Sequence, residues 1–173
     1  MAGRIIRGLA RSAALAGGGL LGLVVMLTVV NAAGFTLNWI ARPFGGAVPG
    51  LPGYEDAVGL LSGVAVLAML PHCQITRGHV VVDVFTTRLS AAATARLTRG
   101  ADAVMGVLAL FLAAMLARGM LGLRADGVVS PVLGWPVWPF LVPGIGAALL
   151  WAAAAFLTAA DREQVDSQPE SGG

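Results

Sequence analysis

The run LAGGGLLGLVVMLTVVNAA, residues 15–33, decides what kind of protein this is. It is the apolar centre of a stretch without charge from Ser12 to Ala41. A helix needs roughly 20 apolar residues to cross the hydrocarbon of a bilayer, so this run is long enough to span. Arg4, Arg7 and Arg11 in front of it, and the small residues Ala32, Ala33 and Gly34 behind it, also fit a secretory signal. The apolar core is longer than the roughly 7 to 15 residues of a signal, which favours a retained transmembrane helix over about residues 12–38.

Three further apolar stretches follow. Ala57 to Thr76 opens behind Glu55 and Asp56, carboxylates that suit the partial positive end of a helix, and predicts a second helix over 55–76. Pro71 is expected to bend or end its regular part, since it lacks an amide hydrogen and crowds the carbonyl of Leu67. Ala103 to Ala117 is short, and spans only if its flanks join it and Arg118 snorkels, giving a third helix over about 101–123. The fourth falls in the uncharged run Gly127 to Ala160, starting after the prolines at 131 and 136 and covering about 137–160. The whole is read as an all-α membrane protein, one four-helix domain over 1–160, with an acidic, disordered tail over 161–173.

Arginine placement sets the orientation. Three precede the first helix, and Arg77, Arg88, Arg96 and Arg99 lie between the second and third. Both regions, and with an even number of crossings both termini, are therefore expected in the cytoplasm. Trp39, Tyr54, Trp135 and Trp138 then fall at the outer ends of helices, as an interfacial aromatic belt requires; Trp151 does not, and is expected within the bundle or against inner-leaflet lipid.

Between the second and third helices, Arg88, Arg96 and Arg99 share one helical face of about 80° and Val82, Leu89, Ala93 and Leu97 the neighbouring one. An amphipathic interfacial helix over about 81–98 is expected, lying either on lipid headgroups or on another protein.

Composition excludes several functions. The chain is 57% hydrophobic and 12% charged, with a net charge of +2 carried entirely by arginine, too little and too scattered for a nucleic-acid groove. His72, Cys73, His79 and Asp83 are ligand types, but seven residues separate the histidines and Pro71 and Gly78 interrupt any shared helix, so a metal site is disfavoured. Ser62 and Ser130 sit in no motif that would activate a nucleophile, so no enzyme is expected and no cofactor. The rival reading is a stand-alone membrane enzyme or metal-binding protein using His72, Cys73 and His79. The pairs Gly18/Gly22 and Gly59/Gly63 have the four-residue spacing that lets helix backbones approach.

The order of these features resembles the small membrane subunit of tripartite ATP-independent periplasmic (TRAP) transporters, the DctQ-like family, over roughly Arg7 to Thr158. The connector RGHVVVDVF is similar to the family pattern at Arg77, Gly78, His79, Val82 and Asp83, and SPVLGWPVWPFLVPG at Ser130, Leu133, Pro136, Trp138 and Pro143. The family often carries further charged residues where this chain has Gly78 and Val81. The resemblance implies an accessory subunit in the bacterial inner membrane, beside a large multispanning transport subunit that holds the sodium and substrate sites. A periplasmic substrate-binding protein would deliver an organic acid, and an ion gradient would drive uptake. Glu55, Arg77, Gly78, His79, Asp83, Ser130, Pro136 and Trp138 would then serve turns or partner contacts, with Asp83 near the start of the horizontal helix. The expected partners are those two proteins and membrane lipids, with no nucleic acid.

Overall fold

The computed structural model describes residues 2–47, 50–76 and 90–166. Among these residues four α-helices form: α1 (Ala2–Ala41), α2 (Tyr54–Ile75), α3 (Ala91–Ala125) and α4 (Trp138–Asp166), with a short 3-10 turn, Arg42–Phe44, closing α1. Each is long and apolar enough to cross a membrane. The 22 residues of α2 measure about 33 Å at 1.5 Å per residue, matching a hydrocarbon layer of about 30 Å.

Three helices are longer than their apolar runs. α1 starts at Ala2 instead of near 12, and α4 continues through the charged residues to Asp166 instead of stopping at 160. The separation of an interfacial helix ending near 98 from a third helix starting at 101 does not exist: residues 91–125 are one helix of 35 residues. Ser90 caps it, its Oγ accepting the Ala93 amide at 3.3 Å. Arginine is a good helix former, and Gly100 alone costs only about 1 kcal/mol, so nothing there stops the amide ladder. Charge marks where the membrane ends; it does not mark where a helix ends. Residues 81–89 of the expected interfacial helix, and 167–173 of the expected tail, lie outside the described residues.

Pro71 does not end α2, which runs on to Ile75 with Pro71 buried inside it. In a packed layer the neighbouring helices offset the lost hydrogen bond.

The helices are not arranged as a closed four-cornered bundle. α4 is central: α3 packs along it on one side and α2 on the other, and α1 packs on α2 while reaching α4 more sparsely. Among the described residues the backbone of α3 comes close to neither α1 nor α2, so the order across the layer is α1, α2, α4, α3. The starts of α1 and α3 and the ends of α2 and α4 share one face of the layer, termed proximal below; the opposite face is distal.

The seams are built from small side chains. Among the described residues every fully buried hydrophobic one is alanine or proline, Ala65, Ala109, Ala154 and Ala155 included, whereas Leu15, Val25 and Phe111 point outward at 60% exposure or more. This is the packing expected in lipid, where large apolar groups gain nothing by turning inward and close backbone contact supplies the attraction. On α1 the buried positions are Ala10, Gly17 and Asn31, all on one seven-residue register. That period keeps a straight seam against a partner crossing at a small angle.

The glycines that make close contacts are not the expected ones. A Cβ on Gly17 would lie 2.7 Å from the Ala65 carbonyl oxygen, and one on Gly106 would lie 2.8 Å from the Phe156 ring. At Gly18, Gly22, Gly59 and Gly63 a Cβ would meet nothing within 4 Å. Spacing alone names a stripe; the direction of the neighbouring helix picks the face.

Candidate functional site: polar locks at the two faces

The distal lock joins the start of α2 to the turn before α4. Residues 128–137 fold back on themselves: the Val137 amide donates to the Val128 carbonyl, the Ser130 amide to the Trp135 carbonyl at 2.8 Å, and the Trp135 amide to Ser130 Oγ at 3.1 Å. Val129 and Pro136 face each other in an isolated antiparallel bridge. The fold-back leaves the amides of Val132 and Leu133 pointing outward, and both donate to Asp56 Oδ2, at 2.8 and 2.9 Å. Two amides on one carboxylate oxygen are charge-assisted bonds, among the stronger that a protein makes.

Glycine is required beside this lock. Gly53 has φ +74°, and a Cβ there would lie 2.5 Å from Leu133 Cγ. Leu133 therefore seats against bare backbone while its amide is held by Asp56. Arg124, at the end of α3, lies over the Trp138 ring at 5.1 Å, and the Trp135 and Phe140 rings stack with centroids 6.2 Å apart. The end of α3 is thus tied to the start of α4.

The proximal lock centres on Gln74, 3% exposed in the last turn of α2. Its Nε2 donates to Asp102 Oδ1 on α3 at 2.9 Å and to Thr158 Oγ1 on α4 at 3.3 Å. Its Oε1 accepts the Trp151 indole N–H at 3.3 Å, and the Thr158 hydroxyl donates to the Ala155 carbonyl at 2.8 Å. One amide side chain thereby connects three helices. Farther out, Arg7 on α1 pairs with Asp161 on α4 at 2.7 Å, with side chains 57% and 45% exposed. Such an exposed pair contributes at most about 1 kcal/mol.

From Asp56 to Gln74 the axis of α2 covers about 27 Å, close to the thickness of the hydrocarbon, so the two locks are spaced as its two boundaries are. Between them there is no charged side chain on α2, none from Ala103 to Ala117 on α3, and none on α4 before Asp161.

The expected site residues divide in three. Ser130, Pro136 and Trp138 come together in the distal turn. Glu55 stands next to it but is exposed; the carboxylate that holds the turn is its neighbour Asp56. Arg77, Gly78, His79 and Asp83 lie outside the described residues. Sequence reasoning passed over Gln74, Asp102 and Thr158 entirely. The available signal was weak: single polar residues near the ends of otherwise apolar helices, where each alone reads as surface. Trp151 packs within the layer, as one of its two expected placements had it, and donates its indole N–H there. Among the described residues no group of three His, Cys, Asp or Glu could hold a metal ion.

Residues 31–163 match the family model described as tripartite ATP-independent periplasmic transporters, DctQ component. Neither the comparison with curated proteins nor that with solved structures gave a match.

Proposed function

The chain belongs to the DctQ family and is the small membrane subunit of a tripartite ATP-independent periplasmic transporter, and from that premise we propose that it serves as a fixed accessory scaffold for a larger transport subunit. It is a multi-pass membrane protein whose polar bonds hold helices to one another at the membrane boundaries and leave the interior apolar. That distribution is the single observation that carries the proposal: a subunit that bound and moved an ion would place ionisable groups or broken helices near the bilayer centre.

In this reading the large subunit holds the sodium and substrate sites, a periplasmic binding protein delivers an organic acid, and the ion gradient drives uptake into the cell. The small subunit catalyses no reaction and binds no cofactor. The proximal face, with both ends of the described chain, lies in the cytoplasm, and the distal turn at Ser130, Pro136 and Trp138 lies at the periplasmic surface. Arg77, Gly78, His79 and Asp83 are the candidates, outside the described residues, for contact with the large subunit.

Copurification in a gentle detergent tests the proposal. A much larger multispanning companion at one-to-one stoichiometry is expected, and vesicles holding both subunits should take up the acid when the binding protein and a sodium gradient are supplied. Vesicles holding this chain alone should take up none; uptake by the isolated chain would refute the scaffold role.

A further inference from the structure

On the distal side α1 outruns the rest of the layer. Gly17 lies against Ala65, Ala68 and Met69 of the antiparallel α2, so counting outward from that contact puts Gln74 level with Ala10 and Asp56 level with Thr28. The bond from the Leu51 amide to Asn31 Oδ1, at 2.9 Å, agrees, because it ties α1 to the chain just before α2 begins at Tyr54. From Thr28 to Ala41 the helix runs on for about 13 residues, or 20 Å, and the Arg42–Phe44 turn follows. α2 and α4 begin beside the distal lock, and α3 ends there, where Arg124 meets Trp138.

This projecting tip is apolar on every side. Trp39 is 78% and Phe44 88% exposed, and Phe35, Leu37 and Ile40 are each more than half exposed. Phe35 and Trp39 share one helical face, Leu37 and Ile40 the other. The Thr36 hydroxyl is turned back to the Ala32 carbonyl of its own helix, at 3.0 Å. The returning chain covers little of the tip: the Gly46 amide donates to the Ala41 carbonyl at 3.0 Å, and Gly50 passes the edge of the Phe35 ring. A helix that is hydrophobic all round is a buried helix, inside a protein or inside a membrane.

Lipid cannot supply that burial. The stretch without charge from Ser12 to Ala41 is about 45 Å of helix, against about 30 Å of hydrocarbon. Sinking all of it requires a tilt of about 48°, beyond the roughly 40° reached by spanning helices. α2 would share that tilt through the α1 seam, and its length would then cover only about 22 Å of the bilayer. Local thickening of the bilayer is penalised ångström by ångström and does not extend to 15 Å. Arg7 and Arg11 keep the proximal end from sinking instead. About 15 Å of apolar helix therefore leaves the hydrocarbon on the distal side, past a headgroup layer of about 5 to 7 Å.

We propose that the tip, from Phe35 to Phe44, is a docking knob that seats in an apolar cleft on the distal side of the large transport subunit, an inference that rests on the scaffold role above. Chemistry selects a permanent protein partner over a visiting one. At about 200 Å² for each ring, Phe35, Trp39 and Phe44 expose about 450 Å², more than half of the roughly 800 Å² that each partner gives to a stable complex. Interfaces that never open are the more apolar kind. A soluble binding protein that came and went would return this aromatic surface to water in every cycle. Arg42, the one charge between Arg11 and Glu55, is exposed at the end of the knob and suits a polar rim around the cleft. In the orientation proposed above the knob stands in the periplasm.

The test uses the assembled transporter. Benzoylphenylalanine placed at Trp39 or at Phe44 should crosslink to the large subunit on irradiation. Trp39→Ser combined with Phe44→Ser should lower the large subunit recovered per copy of this chain at least fivefold. The amount of chain in the membrane should stay unchanged, because neither ring is packed into the chain's own fold. Trp39→Phe combined with Phe44→Leu, which keeps the knob apolar, should restore recovery. Adducts to the binding protein, to a second copy of this chain or to lipid, or no adduct at all, overturn the knob. Should the serine variant not reach the membrane, the crosslinks decide. If the wild-type chain recovers no large subunit, the scaffold role falls and the knob with it; equal recovery by the wild type and the serine variant refutes the knob alone.

Discussion

Gln74 Nε2 lies 2.9 Å from Asp102 Oδ1 and connects two helices, α2 and α3, whose backbones do not come close to each other among the described residues. Because α4 runs between them, this bond and the partners of Gln74 on α4 turn two separate helix pairs into one layer. The bridge stands at the proximal boundary, where α2 ends and α3 still has three turns before its start.

Removing that amide should loosen the layer. Gln74→Leu keeps the bulk but leaves Asp102 Oδ1 and the Trp151 indole without this partner, at an expected cost of about 1–3 kcal/mol. Thermal unfolding in detergent should show a lowered midpoint, with Trp151 fluorescence shifting before the rest of the chain melts. An unchanged midpoint would mean that water replaces the amide without loss.

At the distal face the two neighbouring carboxylates should behave differently. Asp56→Ala strands two amides and should lower the unfolding midpoint clearly, Asp56→Asn should lower it less because one acceptor oxygen remains, and Glu55→Ala should leave it nearly unchanged. Equal effects at 55 and 56 would show that the acidic start of α2 acts through the helix dipole alone.

Neighbouring glycines on α1 give a sharper contrast. Gly17→Leu forces side-chain atoms into the Ala65 carbonyl, so it should cost about 1–3 kcal/mol or more and reduce the yield of assembled complex. Gly18→Leu meets open space and should be tolerated. Reversal of this order, read from yield and unfolding midpoint, would mean that α1 is rotated from the register described.

Orientation is checked with fusion reporters. A reporter at the amino terminus or in the connector after Arg77 should read cytoplasmic, and one inserted near Pro49 or Asp126 should read exported. The opposite pattern would place the arginine-rich face outside.

The four spans were legible from hydropathy because spanning is a local property: a long apolar run in lipid has no route to satisfy its backbone except a helix. Helix ends were less legible, since apolar runs stop at the membrane boundary while the amide ladder of α1, α3 and α4 continues through arginine and aspartate. At the distal site the motif around Ser130, Pro136 and Trp138 located the turn. Which of Glu55 and Asp56 would reach it depended on the helical phase of α2 relative to a segment more than seventy residues away.

What the sequence determined by itself is therefore four apolar rods, their polar ends and, through the family pattern, the kind of assembly they serve. Tertiary structure alone decided which faces meet: Gly17 and not Gly18 against α2, Gln74 toward Asp102, Thr158 and Trp151, and α4 in the centre of the layer. The reason is physical. In water, burial writes an amphipathic stripe that names the inner face of each helix. In lipid both faces are apolar, so the choice passes to close contacts of small residues and to a few hydrogen bonds whose partners lie far apart along the chain.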